Sequence, residues 1–140
     1  MPLTELVYCS TIAPGTLLPE VFAIQKQAQT NNATRQISGL LVFNKRFFLQ
    51  VLEGPSAEVQ ALYARIALDK RHRNVRTLGQ ASIESCHWAN WSMGLMGLSP
   101  ANSAIFEQFF GAEAFDPYEL NHLQAQSLLR ALTKIASPGP

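Results

Sequence analysis

Gln50 is the residue whose type and setting most clearly call for chemistry. It lies in the run Arg46-Phe47-Phe48-Leu49-Gln50-Val51-Leu52-Glu53-Gly54, which reads as a buried strand. Side chains alternate faces along a strand, so Phe48, Gln50 and Leu52 share one face. A primary amide among such neighbours is costly unless both its ends find partners. Its nitrogen offers two donors and its oxygen accepts, so turning the amide over exchanges donor for acceptor. Something polar must face it, and a ligand is one candidate. Tyr8 falls on an earlier apolar stretch and shares its face with Leu6 and Ser10. Arg65, Asp69, Arg71 and His72 gather further on, a cluster that by itself reads first as a solvated charged loop. No carboxylate–metal constellation surrounds His72, and Cys9 and Cys86 lack disulfide-rich or metal-ligand spacing.

The elements that must position these residues are legible in outline. Leu3 to Ser10 reads as a first strand, and Ala13-Pro14-Gly15 as a turn. Pro19 and Glu20 suit the first turn of a helix that carries Val21, Ile24 and Ala28 on one stripe and ends near Asn31-Asn32. Ile37 to Phe43 is a second strand, joined to the Gln50 strand by the hairpin Asn44-Lys45-Arg46. Val59, Leu62, Tyr63 and Ile66 mark a second amphipathic helix. Val75 to Ile83 is a weaker strand with a possible irregularity at Gly79. Trp91 to Leu98 is a fifth strand candidate, with Trp91 and Met93 on one face. Helices are expected about Asn102 to Phe110 and Pro117 to Ile135. The order predicts an α+β fold: a ferredoxin-like five-stranded mixed sheet with two helices on one face, plus a C-terminal helical extension. Leu120, Leu123, Leu128, Leu129 and Leu132 form a stripe that needs a cover, either the other sheet face or another chain.

The chain has 140 residues, one domain's worth, of which 47% are hydrophobic and 15% charged. Eleven basic against ten acidic residues give no general pull toward nucleic acid or an anionic membrane. No apolar run is long enough to span a bilayer, and the N-terminus lacks the pattern of a secretory signal. A cytoplasmic location is expected.

Taken jointly, the motifs resemble a known family. Leu6-Val7-Tyr8-Cys9-Ser10, Asn31-Asn32, Ile37-Ser38-Gly39-Leu40-Leu41, Phe48-Leu49-Gln50-Val51-Leu52-Glu53-Gly54, Tyr63-x-Arg65-Ile66, Asp69-x-Arg71-His72 and Trp91-Ser92-Met93 stand in the order and spacing of BLUF domains. These are flavin-binding blue-light sensors. The chain is similar to the short PixD-like type, with residues 1–98 as the flavin-binding domain and 99–140 as a helical extension. The resemblance implies FAD, or FMN or riboflavin, held between the two sheet-packed helices. Ile24 and Ile66 match the positions that sandwich the ring, Asn32 and Asn31 the polar edge. Leu41 and Phe48 are further positions implied to bind the flavin. Arg65, Asp69, Arg71 and His72 match the region near the ribityl chain and phosphate, where arginines make charge-assisted bonds. Read on their own, Ile24 and Ile66 also suit ordinary core packing, and an Asn also suits a helix C-terminus.

The implied photochemistry uses Tyr8 as electron donor to the excited flavin and Gln50 as the amide through which the proton moves. The Gln50 amide is left rearranged, its bonds to the flavin differ, and absorption shifts to the red. No covalent adduct is needed, and Cys9 is expected on the opposite face as a buried thiol. Trp91 or Met93 is implied as the relay to a signalling partner. A homo-oligomer is also implied, and catalysis by the chain itself is not. Three departures from the family pattern stand out: Gln36 replaces a common Gly, Ser38 replaces Thr, and Ser85-Cys86-His87-Trp88-Ala89-Asn90 lacks the usual Arg-aromatic pattern. The competing readings are a flavin-dependent oxidoreductase and a ferredoxin-like interaction domain without flavin. The first is disfavoured by the lack of a GxGxxG motif and of a redox cysteine pair.

Overall fold

A computed structural model describes residues 2–88, 91, 93–111 and 115–134, with the side chains of residues 31–34 outside the description. The elements follow in the order β1 (Leu3–Ile12), α1 (Leu18–Arg35), β2 (Ser38–Phe43), β3 (Phe47–Pro55), α2 (Ser56–Leu68), β4 (His72–Ile83), β5 (Gly94–Gly97), α3 (Ser103–Phe110) and α4 (His122–Thr133). A short 3-10 turn, Pro117–Glu119, stands between the last two. The five strands form one mixed sheet in the order β4-β1-β3-β2-β5. β1 runs antiparallel to β3 and β4, β2 antiparallel to β3, and β5 parallel to β2.

Strand alternation divides the core in two. Leu6, Tyr8, Leu41, Phe48 and Leu52 pack beneath α1 and α2 with Val21 and Val59. Val7, Cys9, Leu40, Val42, Leu49 and Val51 face the other way, toward α3 and α4. On that second face Leu120, Leu128, Leu129 and Leu132 are buried, and Leu123 alone of the leucine stripe is exposed. The stripe is therefore covered by the chain's own sheet, and of the two covers open in the sequence the structure has the first.

Two local features differ from expectation. The last helix starts at His122 and not at Pro117, because Asn121 forms a capping box with Gln124. The fifth strand is only Gly94–Gly97, and ahead of it Trp91 N–H donates to the Trp88 carbonyl at 2.8 Å. Gln36 keeps a positive φ of 61°, so the left-handed angle persists without glycine. The expected irregularity in β4 is present: its register with β1 shifts between Val7, opposite Gly79, and Tyr8, opposite Thr77.

Gly39 is where the sheet tolerates no side chain. A Cβ there would run into the backbone carbonyl oxygen of Val51 on β3, an atom that cannot rotate away. Gly39→Ala should cost at least the upper end of the roughly 1–3 kcal/mol typical of overpacking. The midpoint of chemical denaturation, read by circular dichroism, measures this.

Candidate flavin site

β1 and β3 place Tyr8 directly opposite Gln50, and β2 places Leu41 on the other side of Gln50. Because register partners point to the same face, all three side chains lie beneath α1 and α2. The Tyr8 hydroxyl donates to Gln50 Oε1. Gln50 Nε2 donates to Met93 Sδ at 3.1 Å. Sulfur is a weak acceptor, and an amide nitrogen has two N–H groups. The amide thus has a firmly held oxygen and an under-used nitrogen. Tyr8 is fully buried, and burial, then Tyr63 and Asp69, hold its pKa well above the ordinary phenol value. It rests as a neutral phenol.

A cavity of about 140 Å³ opens above this pair, between α1 and α2. Ile24 and Ala28 of α1 and Leu62 and Ile66 of α2 supply apolar walls. Gln27, Arg65, Asp69, Arg71 and His72 supply polar ones. Leu41 and Phe48 are buried in the core on which the cavity rests. This donor set fits a planar aromatic group with a polar tail: apolar walls on two helices, a primary amide at the inner end, cations at the outer. The positions of Gln27, Ala28 and Leu62 in the lining were not assigned from sequence. Ala28 and Leu62 were visible there only as stripe residues, and nothing distinguished Gln27. Asn31 and Asn32 lie on α1, but their side chains fall outside the described residues.

The polar end is more differentiated than its sequence suggests. Asp69 and Arg71 form a forked pair, with Arg71 Nη2 2.6 Å from Asp69 Oδ2 and Arg71 Nε 3.0 Å from Oδ1. That hydrogen bonding holds the Asp69 carboxyl below its ordinary range and raises the Arg71 guanidinium. Arg71 also reaches Gln27 Oε1 on α1 at 3.5 Å. Its charge is largely met, which leaves exposed Arg65 as the more available cation. His72 opens β4, is buried, and places Nδ1 2.8 Å from Ser10 Oγ. Burial pushes its pKa down to about 4, so at neutral pH it is an uncharged wall and not a counter-ion.

That shift carries a sign. The unfolded imidazole titrates near 6.5 and the folded one near 4, so the unfolded chain binds the extra proton first. The stabilisation is complete above pH 6.5 and is lost as pH falls toward 4, roughly 3 kcal/mol in all. For flavin-free protein, denaturation at a series of pH values should show this slope in wild type and a flatter one in His72→Gln.

Trp91 and Met93 do not share a face, contrary to the reading of a strand from Trp91. β5 begins only at Gly94, so the alternation does not extend back to Trp91. Met93 packs beneath α1 beside Gln50, and Trp91 packs in the opposite core, its ring against Gly94 where a Cβ would collide. The Met93 carbonyl accepts from Gln25 Nε2 and Gln29 Nε2 of α1, both at 3.2 Å. Cys9 lies on the face away from Tyr8, and burial pushes its thiol up to about 12. Among the described residues no helix is long and apolar enough to cross a membrane.

Residues 3–94 match the family described as BLUF, "Sensors of blue-light using FAD". Among curated relatives, photoactivated adenylate cyclase subunit beta of Euglena gracilis is 35% identical over 92 residues, 65% of this chain and 11% of that protein. The blue light- and temperature-regulated antirepressor BluF of Escherichia coli is 34% identical over 92 residues, 59% of this chain and 23% of the relative. The chain thus spans only a minor part of these proteins. A solved structure titled "BlsA photo-activated state" superposes with a TM-score of 0.87 at 28% identity, covering 99% of both chains. The dark-state structure of BlrB, at 23% identity and a TM-score of 0.72, shares the fold. With the family pattern spanning β1 through the start of β5, this chain belongs to the BLUF family of blue-light sensors.

Proposed function

We propose that the chain is a blue-light photoreceptor that holds a flavin noncovalently between α1 and α2 and signals by rearranging the Gln50 amide. One observation carries this reading: at the inner end of the cavity, Gln50 accepts from Tyr8 and donates to Met93 Sδ. A bound flavin supplies light absorption and, once excited, oxidising power. Ile24 and Ile66 would flank its ring, and Arg65 would meet an anionic tail. Tyr8 would give an electron to the excited flavin while its proton moves along the existing hydrogen bond to Gln50 Oε1, and the return of both would restore phenol and flavin and leave the amide rearranged. A turned amide, or its tautomer, places a donor where the acceptor was.

The same rearrangement would disturb Met93, whose carbonyl is tied to Gln25 and Gln29 on α1. That makes Met93, and not Trp91, the first relay, with β5 and α1 as the two-state element. A protein partner reads that state, and the chain itself catalyses no reaction. The homo-oligomer rests on resemblance alone, since the leucine stripe is covered; sizing in dark and light tests it.

The deciding measurement is the absorption spectrum of the flavin-loaded protein in darkness, under blue light and through dark recovery. Flavin bands that move modestly to the red and return support the sensor. Bands that only bleach would favour an ordinary flavin redox enzyme. Protein that takes up neither FAD nor FMN would overturn the site.

A further inference from the structure

On the sheet face away from the cavity, two carboxylates are buried side by side. Glu5 of β1 and Glu53 of β3 are register partners with relative exposures of 1% and 0%. Each is oriented through one oxygen. Glu5 Oε1 accepts from Gln126 Nε2 of α4 at 2.7 Å. Glu53 Oε1 accepts from the Trp88 N–H at 2.9 Å. The other oxygen of each, Oε2, is buried with no hydrogen-bond partner among the described residues. Two adjacent buried carboxylates repel and are poorly solvated, so either a proton or a cation must neutralise part of their charge.

Two imidazoles converge on the same place. One donor atom each from Glu5, Glu53 and His87 lie within 4.8 Å of one another. His122 of α4 brings Nε2 to 3.6 Å from Glu5 Oε1, and that nitrogen is buried without a hydrogen-bond partner among the described residues. Gly79 makes room for it, since a Cβ there would strike the His122 ring. A shared proton would neutralise half of a carboxyl pair but would need no imidazole. Carboxylate oxygens with imidazole nitrogens are the donor set of zinc and similar divalent transition ions. One oxygen held by an outer partner and the other free is how a carboxylate ligand is usually presented.

We infer that Glu5, Glu53 and His87 form a divalent transition-metal site, with Gln126 and His122 positioning the Glu5 carboxylate. Arg130, whose guanidinium lies 3.3 Å from His87 Nε2, swings into solvent as the cation enters. The ion would pin the β4–β5 connection to β1, β3 and α4 just ahead of Met93.

The test is titration of the full flavin-loaded chain, stripped with chelator, using Zn²⁺ by calorimetry and Co²⁺ by its visible ligand-field bands. One Zn²⁺ per chain is expected, with Co²⁺ bands of a mixed oxygen–nitrogen site. His87→Ala removes an exposed side chain and leaves the fold intact, and it should weaken Zn²⁺ by well over ten-fold. Glu5→Gln should abolish the site, and Gln126→Leu should weaken it about 10–100-fold. Arg130→Gln should tighten it. Failure to bind either ion would overturn the site and leave a carboxyl pair sharing a proton. Zn²⁺ binding that persists unchanged in both Glu5→Gln and His87→Ala would overturn it as well, since the ion would then be held elsewhere.

Discussion

Tyr8→Phe should bind flavin and lose the light-induced red shift. Phenylalanine fills nearly the same volume at the inner end of the cavity, so the walls built from Ile24, Ala28, Leu62 and Ile66 are untouched. What disappears is the hydroxyl that donates to Gln50 Oε1. With it go the readily oxidised phenol and the proton that leaves with the electron. The expected readout is a yellow protein whose spectrum under blue light stays within noise of its dark spectrum. Flavin fluorescence should live longer because its quencher is gone. The folded state should lose roughly 1–3 kcal/mol, since Gln50 Oε1 is left buried without a donor. A shift of wild-type size in Tyr8→Phe would remove Tyr8 as the donor. Tyr63, whose ring centroid lies 5.4 Å from that of Tyr8, would be the next phenol to test.

Gln50→Ala should also abolish the shift, for a different reason that the same instruments can separate. The tyrosine remains, so rapid quenching of flavin fluorescence should persist. The movable amide is gone, so no altered hydrogen-bond pattern outlives the return of the electron. Tyr8 O–H loses its acceptor and Met93 Sδ its donor, and the truncation enlarges the space at the inner end of the cavity. A loss of roughly 2–4 kcal/mol is expected from the cavity together with the orphaned hydroxyl. Fast quenching with no red shift would assign electron donation to Tyr8 and storage of the light state to Gln50. A normal red shift in Gln50→Ala would take the amide out of the mechanism.

The two outcomes together bear on the relay. Gln50 touches Met93 directly, and Met93 is anchored through its carbonyl to two glutamines of α1. Under the proposed mechanism, a displacement of the amide would be felt at the start of β5 and along α1. Trp91 is separated from Gln50 by the sheet itself.

Much of this was readable from the chain alone because it depends on local periodicity. Tyr8 and Gln50 were assigned to strand faces by alternation, Ile24 and Ile66 to helix stripes by their spacing, and Cys9 to the face opposite Tyr8. These inferences need only a few neighbouring residues, and backbone geometry enforces them wherever the segment is regular. They fail where regularity stops. Trp91 and Met93 share a face only if the strand reaches back to Trp91, and no pattern within the segment marks that β5 begins at Gly94. The apolar spacing predicts one helix from Pro117 because it continues past the cap at Asn121.

The tertiary structure decided what depends on partners distant in sequence. Arg71 is engaged by Asp69, while Arg65 is exposed, although both are arginines beside one loop. His72 is neutral because Ser10 and Phe48 enclose it from other strands. α3 and α4 complete the second core, where two carboxylates 48 positions apart meet under α4. Composition and spacing state which groups a chain possesses and which way each local segment turns them. Charge state, hydrogen-bond partner and exposure are set by what the fold brings opposite, and only long-range register supplies that.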